Sequence, residues 1–249
     1  MKSPMKALIR TLALGGLLCV GAAQAGEEAE LLYFKATPTN LPALQRGART
    51  FINYCSGCHA MKYLRYSRMA KDLGIPEEQL KANLMFGVDK SSETIKTAMP
   101  AAAKDWFGQQ PPDLSLEARY RGLDWVYTYL LSFYVDDKRP LGVNNTVLPN
   151  ASMPHVLWEQ QGWQKAKYKE VLEKGAKSQE FEGLELAEKG SMTPEQYREY
   201  VSDLVNFMAY AAEPGKAERI SLGFRVFLYL VLLLILTYLL KKEFWRDVH

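Results

Sequence analysis

The stretch Tyr54-Cys55-Ser56-Gly57-Cys58-His59-Ala60-Met61 decides how the rest of the chain reads. Residues 55–59 form the C-x-x-C-H pattern of covalent c-type haem attachment. Two thiols three residues apart on one turn can each add to a vinyl group of the same porphyrin, giving two thioethers. The adjacent His59 then stands where its ring can reach the iron. Other chemistries fit these residues poorly. A redox-active C-x-x-C belongs in a βαβ context, and no such pattern precedes Cys55. A zinc site needs a further pair of ligands at suitable spacing, and only His155 and His249 remain.

Working outward, Leu41, Leu44, Ala48, Phe51, Ile52 and Cys55 recur at three- and four-residue steps, which predicts an amphipathic helix delivering the motif. Far downstream, Tyr197, Val201, Leu204, Val205, Met208 and Ala211 predict a second such helix. Ser191-Met192-Thr193-Pro194-Glu195 opens it with a cap and a proline in the first turn. Gly47 is apt for a crossing point, because two helices approach closely only where a side chain is missing. Between these elements, Trp158 to Gly190 is rich in lysine, glutamate and glycine without a repeated unit. It is expected as a surface insertion, a solvated helix–loop segment.

The ends of the 249-residue chain divide it further. Residues 1–25 read as a cleaved secretory signal. Lys2, Lys6 and Arg10 supply the charged start, Thr11 to Ala23 the apolar stretch, and Ala23-Gln24-Ala25 the cleavage site. Cleavage removes Cys19, and with three basic residues gone the mature chain has as many basic as acidic ones. Ile220 to Leu240 is an apolar run whose only charge is Arg225, about 31 Å long as a helix and long enough to span a bilayer. The expected organisation is therefore a signal at 1–25, an exported haem domain at 26–219, a transmembrane helix at 220–240 and a cytoplasmic tail at 241–249. A precursor net charge of +3 carries no signature of nucleic-acid binding. The 48% apolar and 24% charged content excludes a disordered chain, and three cysteines exclude a disulfide-dense scaffold.

The second axial ligand determines whether a haem carries electrons or keeps an open position for chemistry. Met61 and Met69 are too near the motif in sequence, Met208 lies on a core helix, and His249 is across the membrane. Met153 stands in the proline-punctuated loop Val147-Leu148-Pro149-Asn150-Ala151-Ser152-Met153-Pro154-His155, which can present one side chain to a buried iron. The residues alone leave His155 as its rival.

The chain resembles the cytochrome c1 family, the haem subunits of cytochrome bc1 complexes (ubiquinol–cytochrome c oxidoreductases), in its bacterial form. The likeness runs from the Tyr54–Tyr63 segment through Pro111-Pro112-Asp113-Leu114-Ser115, Ala118-Arg119 with Gly122, the Met153-Pro154 loop and Ala211-Ala212-Glu213-Pro214 to the anchor and its Lys241-Lys242 stop. Gly47 and Phe51 likewise resemble the first helix of soluble class I cytochromes c, and Leu204 and Phe207 the helix that crosses it. The resemblance implies a mainly α fold, a class I cytochrome c-like haem domain with loop insertions and one C-terminal transmembrane helix. It implies one covalent haem c with Cys55 and Cys58 as thioether residues, His59 and Met153 as axial ligands, Pro111 and Pro112 at the haem edge and Arg119 at a propionate. It implies an electron-transfer subunit, not an enzyme by itself, taking one electron from the Rieske iron–sulfur protein and passing it to a soluble or tethered cytochrome c. The implied setting is a dimeric complex with cytochrome b in the bacterial inner membrane, contacting lipid, with the haem domain in the periplasm. Two positions depart from the family pattern: Phe107 where many relatives are polar, and Trp125 where they often have tyrosine. The alternatives are an anchored monohaem cytochrome c donating to another terminal oxidase or reductase, and a haem enzyme or gas sensor with an open sixth position.

Overall fold

The computed structural model describes residues 30–173 and 176–248, so the expected signal at 1–25 lies outside the described residues. Helix α1 (Leu41–Thr50) begins where the Asn40 side chain accepts the Ala43 N–H at 3.3 Å, with Pro42 in the first turn. It runs into a π-helical turn, Phe51–Cys55, closed by the Ser56 N–H donating to the Phe51 carbonyl at 2.9 Å. There follow β1 (Met61–Arg65), α2 (Tyr66–Leu73), α3 (Glu77–Asn83) and β2 (Thr94–Ile95), which pairs antiparallel with β1. Next come α4 (Ala103–Phe107), α5 (Glu117–Tyr120), α6 (Leu123–Leu131) and a small hairpin of β3 (Phe133–Val135) and β4 (Val143–Asn145). The last elements are α7 (Trp158–Gln161), β5 (Gly162–Glu173), β6 (Ala176–Lys189), α8 (Pro194–Ala212) and α9 (Lys216–Phe244).

The core sits where α1 crosses α8. A Cβ placed on Gly47 would lie 2.1 Å from the Asp203 carbonyl oxygen, so only glycine permits this approach. Beside the crossing the Arg46 guanidinium grips the Asp203 carboxylate with two bonds of 2.6 and 3.1 Å. Phe51 and Phe207, both fully buried, meet with ring centroids 5.8 Å apart. Helix α8 opens with a reciprocal capping box: Thr193 Oγ1 accepts the Gln196 N–H and Gln196 Oε1 accepts the Thr193 N–H. The expected pair of helices and their glycine contact are present.

The 158–190 insertion departs from expectation. Instead of a solvated helix–loop segment it is a long antiparallel hairpin of β5 and β6, after the single turn of α7. Its base is closed by two glycines: Gly162 has φ 87°, and a Cβ on Gly190 would lie 2.4 Å from the Gly162 nitrogen. The Gln164 side chain donates to the carbonyls of Leu131 and Phe133, tying β5 to the end of α6 and to β3. Further out, Tyr168 and Phe181 pair across the strands with centroids 6.0 Å apart. Lysine- and glutamate-rich composition favours helix weakly, and these anchored base contacts override it.

Two further features frame the head of α9. The irregular segment 31–37 is strapped across α6 and α8 by its own backbone. Leu32 N–H donates to Thr128 Oγ1 at 2.8 Å, Phe34 N–H to Asp124 Oδ1 at 2.6 Å and Thr37 N–H to Asn206 Oδ1 at 2.7 Å. Helix α9 has 29 residues, no buried side chain and the length and apolarity to cross a membrane; it contains the whole of the expected 220–240 span.

Candidate functional site

The C-x-x-C-H residues fold as one tight turn at the end of the π-helical segment. The Cys55 carbonyl accepts both the Cys58 N–H at 3.0 Å and the His59 N–H at 2.8 Å. Cys55 is buried and Cys58 half-buried, and both face an apolar cavity of about 1050 Å³, counting the space at its open mouth. Burial pushes the Cys55 thiol up to about 12, the neighbouring Cys58 adding to the effect, and burial also raises Cys58.

His59 lines the same cavity. Its Nδ1 lies 2.8 Å from the Pro112 carbonyl oxygen, so Nδ1 carries the proton and donates, leaving the Nε2 lone pair available to a metal. Burial holds this imidazole below its usual range, opposed by the Pro112 bond. The Pro111–Ser115 segment reaches the histidine because β1 and its approach capture it. Leu114 N–H donates to the Ala60 carbonyl at 2.8 Å, Lys62 N–H to Asp113 Oδ2 at 2.9 Å and Tyr63 N–H to Ser115 Oγ at 3.2 Å. Pro111 and Pro112 both line the cavity, as do Phe107 and Trp125; the last stacks on Tyr129 at 5.0 Å.

The structure separates the two rival ligands. Met153 lines the cavity. His155 does not: it is buried, stacked on Phe133 at 5.1 Å and edge-on to Trp163 at 5.9 Å. Met208, on α8, also contributes to the wall. The Met153 loop is held by side-chain amides that helical periodicity and the haem motif do not point to. Asn145 Oδ1 accepts the Val147 and Leu148 N–H groups, and Asn144 Oδ1 accepts the Asn150 N–H at 2.7 Å. An Asn-Asn pair before a proline-bearing loop was the available signal, since asparagine side chains take over backbone partners in turns.

The expectation for Arg119 is corrected. Arg119 is exposed on α5 and does not line the cavity, whereas Arg121 does, at the rim. Two residues apart on a helical turn are about 200° apart around the axis, so 119 and 121 face opposite ways. The Arg121 guanidinium lies 4.5 Å from the centre of the Trp125 ring and bonds Glu117 at 2.9 Å.

A flat tetrapyrrole suits this setting: a mainly apolar slot, two thiols and a proton-directed imidazole at one wall, and a cation at the open rim for carboxylates. The fold and the cavity together are those of a haem-carrying cytochrome domain on a membrane-length helix. The chain belongs to the cytochrome c1 family, whose model matches residues 38–248. It is 51% identical to cytochrome c1 of Allochromatium vinosum, over 83% of this chain and 85% of that protein. It is 41% identical to a Nitrosomonas europaea protein called ammonia monooxygenase gamma subunit, over 97% and 99%, and 29% identical to cytochrome c1 of Rhodospirillum rubrum, over 83% and 82%. As a member of this family it is a haem protein of electron transport, a subunit of the bc1 type and not an enzyme by itself.

Proposed function

We propose that the chain holds one haem c, attached through Cys55 and Cys58 and ligated by His59 and Met153. It would carry one electron from the Rieske iron–sulfur protein to a soluble or tethered cytochrome c. The observation that carries this reading is the convergence of Cys55, Cys58, His59 and Met153 on one apolar cavity. Bound there, the haem supplies a one-electron ferric/ferrous couple. The residues do the rest. Pro112 fixes the His59 tautomer, the Asn144–Asn145 pair holds the Met153 loop, Phe107, Trp125 and Tyr129 exclude water, and Arg121 at the rim offers its charge to a propionate. Met208 is a wall residue on this reading, because α8 is fixed by its crossing at Gly47.

In the same reading residues 1–25 are removed on export, α9 spans the bacterial inner membrane, residues 26–219 lie in the periplasm and the tail from 241 is cytoplasmic. Cytochrome b packs against the anchor within a dimeric complex. The test is purification of the native protein in mild detergent. Haem that stays on the chain through denaturing electrophoresis, with b-type and iron–sulfur subunits alongside, supports the proposal. Haem that washes out overturns the attachment. A chain isolated without a quinol-oxidising subunit favours the anchored cytochrome c serving another terminal oxidase or reductase.

A further inference from the structure

A second cleft, separate from the haem cavity, opens between the N-terminal strap and the head of α9, with about 830 Å³ of space counting its open side. Its walls include Tyr33, Phe34, Lys35, Pro214, Lys216 and Ile220. We propose that this cleft binds the headgroup phosphate of an anionic phospholipid, with the acyl chains running down α9. The proposal rests on the reading of α9 as a membrane span and adds a ligand at its entrance.

Three observations carry it. The first is depth. Ile220 is the first residue of the apolar run, and every side chain from 220 to 240 is exposed, so the cleft lies at headgroup level with bare apolar helix beneath it. The second is charge. Glu213 is the one carboxylate lining the cleft among the described residues, and it is already engaged by the Arg219 guanidinium, which holds its carboxyl below the usual range. Lys216 reaches Glu213 only at 3.9 Å, and Lys35 makes no ion pair among the described residues, so cationic charge is left over for a ligand. The third is construction. Three hydrogen bonds from the strap backbone to Thr128, Asp124 and Asn206 fix Lys35 and the exposed Tyr33 beside the helix head, where an aromatic suits the interface.

The test uses full-length haem-loaded protein, stripped of bulk lipid in mild detergent and offered phosphatidylglycerol or phosphatidylcholine. Retained lipid is counted by native mass spectrometry. We expect one phosphatidylglycerol per chain, held about tenfold more tightly than phosphatidylcholine, and about tenfold weaker retention in Lys35→Gln/Lys216→Gln. The haem spectrum and helical signal of this variant should be unchanged, since neither lysine lines the haem cavity. Equal retention of the two lipids, or undiminished retention by the variant, overturns the site; a protein helix seated in the cleft would give that result. Inorganic phosphate binding as tightly as the lipid marks a free-anion site and overturns the lipid assignment. A chain that fractionates as soluble protein without detergent refutes the anchor itself, a failure read by sedimentation and distinct from loss of lipid binding.

Discussion

The α1–α8 crossing and the β5–β6 hairpin are opposite ways of specifying structure. At the crossing, one missing side chain at Gly47 sets how closely two helices lie, and a phenylalanine pair and an arginine–aspartate pair lock the contact. The hairpin is specified at its base, by glycines and by the Gln164 bonds to α6 and β3, while further out the described residues 167–170 and 181–182 are exposed. A local sequence pattern reveals the first kind of specification, because helical periodicity points the buried face at a partner. The second kind depends on contacts far along the chain, and periodicity is silent about them.

Substitutions test this contrast, and the largest effect belongs to the cavity beside the crossing. Replacing both Cys55 and Cys58 by alanine should reduce haem retained through denaturing electrophoresis to background and leave a poorly stable apo chain, because an unfilled cavity forfeits its packing contacts. Gly47→Leu should destabilise the fold by about 3 kcal/mol or more in denaturant titration, since the new side chain runs into the Asp203 backbone, which cannot yield as a flexible side chain would. Met153→Leu should lower the reduction potential by a few tenths of a volt out of the roughly 0.8 V that axial ligands span, and should let carbon monoxide bind the reduced protein. Met208→Leu and His155→Ala should do neither in the same potentiometric titration; a large drop for Met208→Leu would move the ligand to α8. At the small end, Tyr168→Ala should cost about 0.5 kcal/mol in urea unfolding and leave the potential unchanged, as expected of one cross-strand pair on an exposed hairpin.

How much of this could be read in advance follows the same division. Both core helices, the Thr193 cap, the Gly47 contact and the membrane-length helix are local patterns, and each is present. The cavity gathers Cys55, Cys58, His59, Met153, Pro111 and Pro112, residues spread over nearly a hundred positions, and family likeness rather than spacing was what linked them. The resemblance points to Arg119, whereas Arg121 lines the cavity; a one-turn helix carries no periodicity to say which of two nearby arginines faces inward. The hairpin is not legible in composition, because lysine and glutamate suit a solvated helix and an exposed strand alike. The hold of Asn144 and Asn145 on the Met153 loop is hidden in the sequence because polar residues in a loop ordinarily lie at the surface.

If Met153 ligates the iron, that pair of asparagines would bear on the rate of electron transfer. The Met153 loop is fastened through carboxamides that are themselves anchored: Asn145 Nδ2 donates to the Tyr129 carbonyl at 2.8 Å, and Asn144 Nδ2 to Asp136 at 3.0 Å. On the proposed ligation, such bracing restricts how far the thioether can follow the iron as its charge alternates. Nuclear rearrangement between oxidation states would then be small, and a small reorganisation energy would let the couple exchange electrons quickly with only a slight driving force. The speed of the couple would thus be set partly by two neutral side chains that line no part of the cavity.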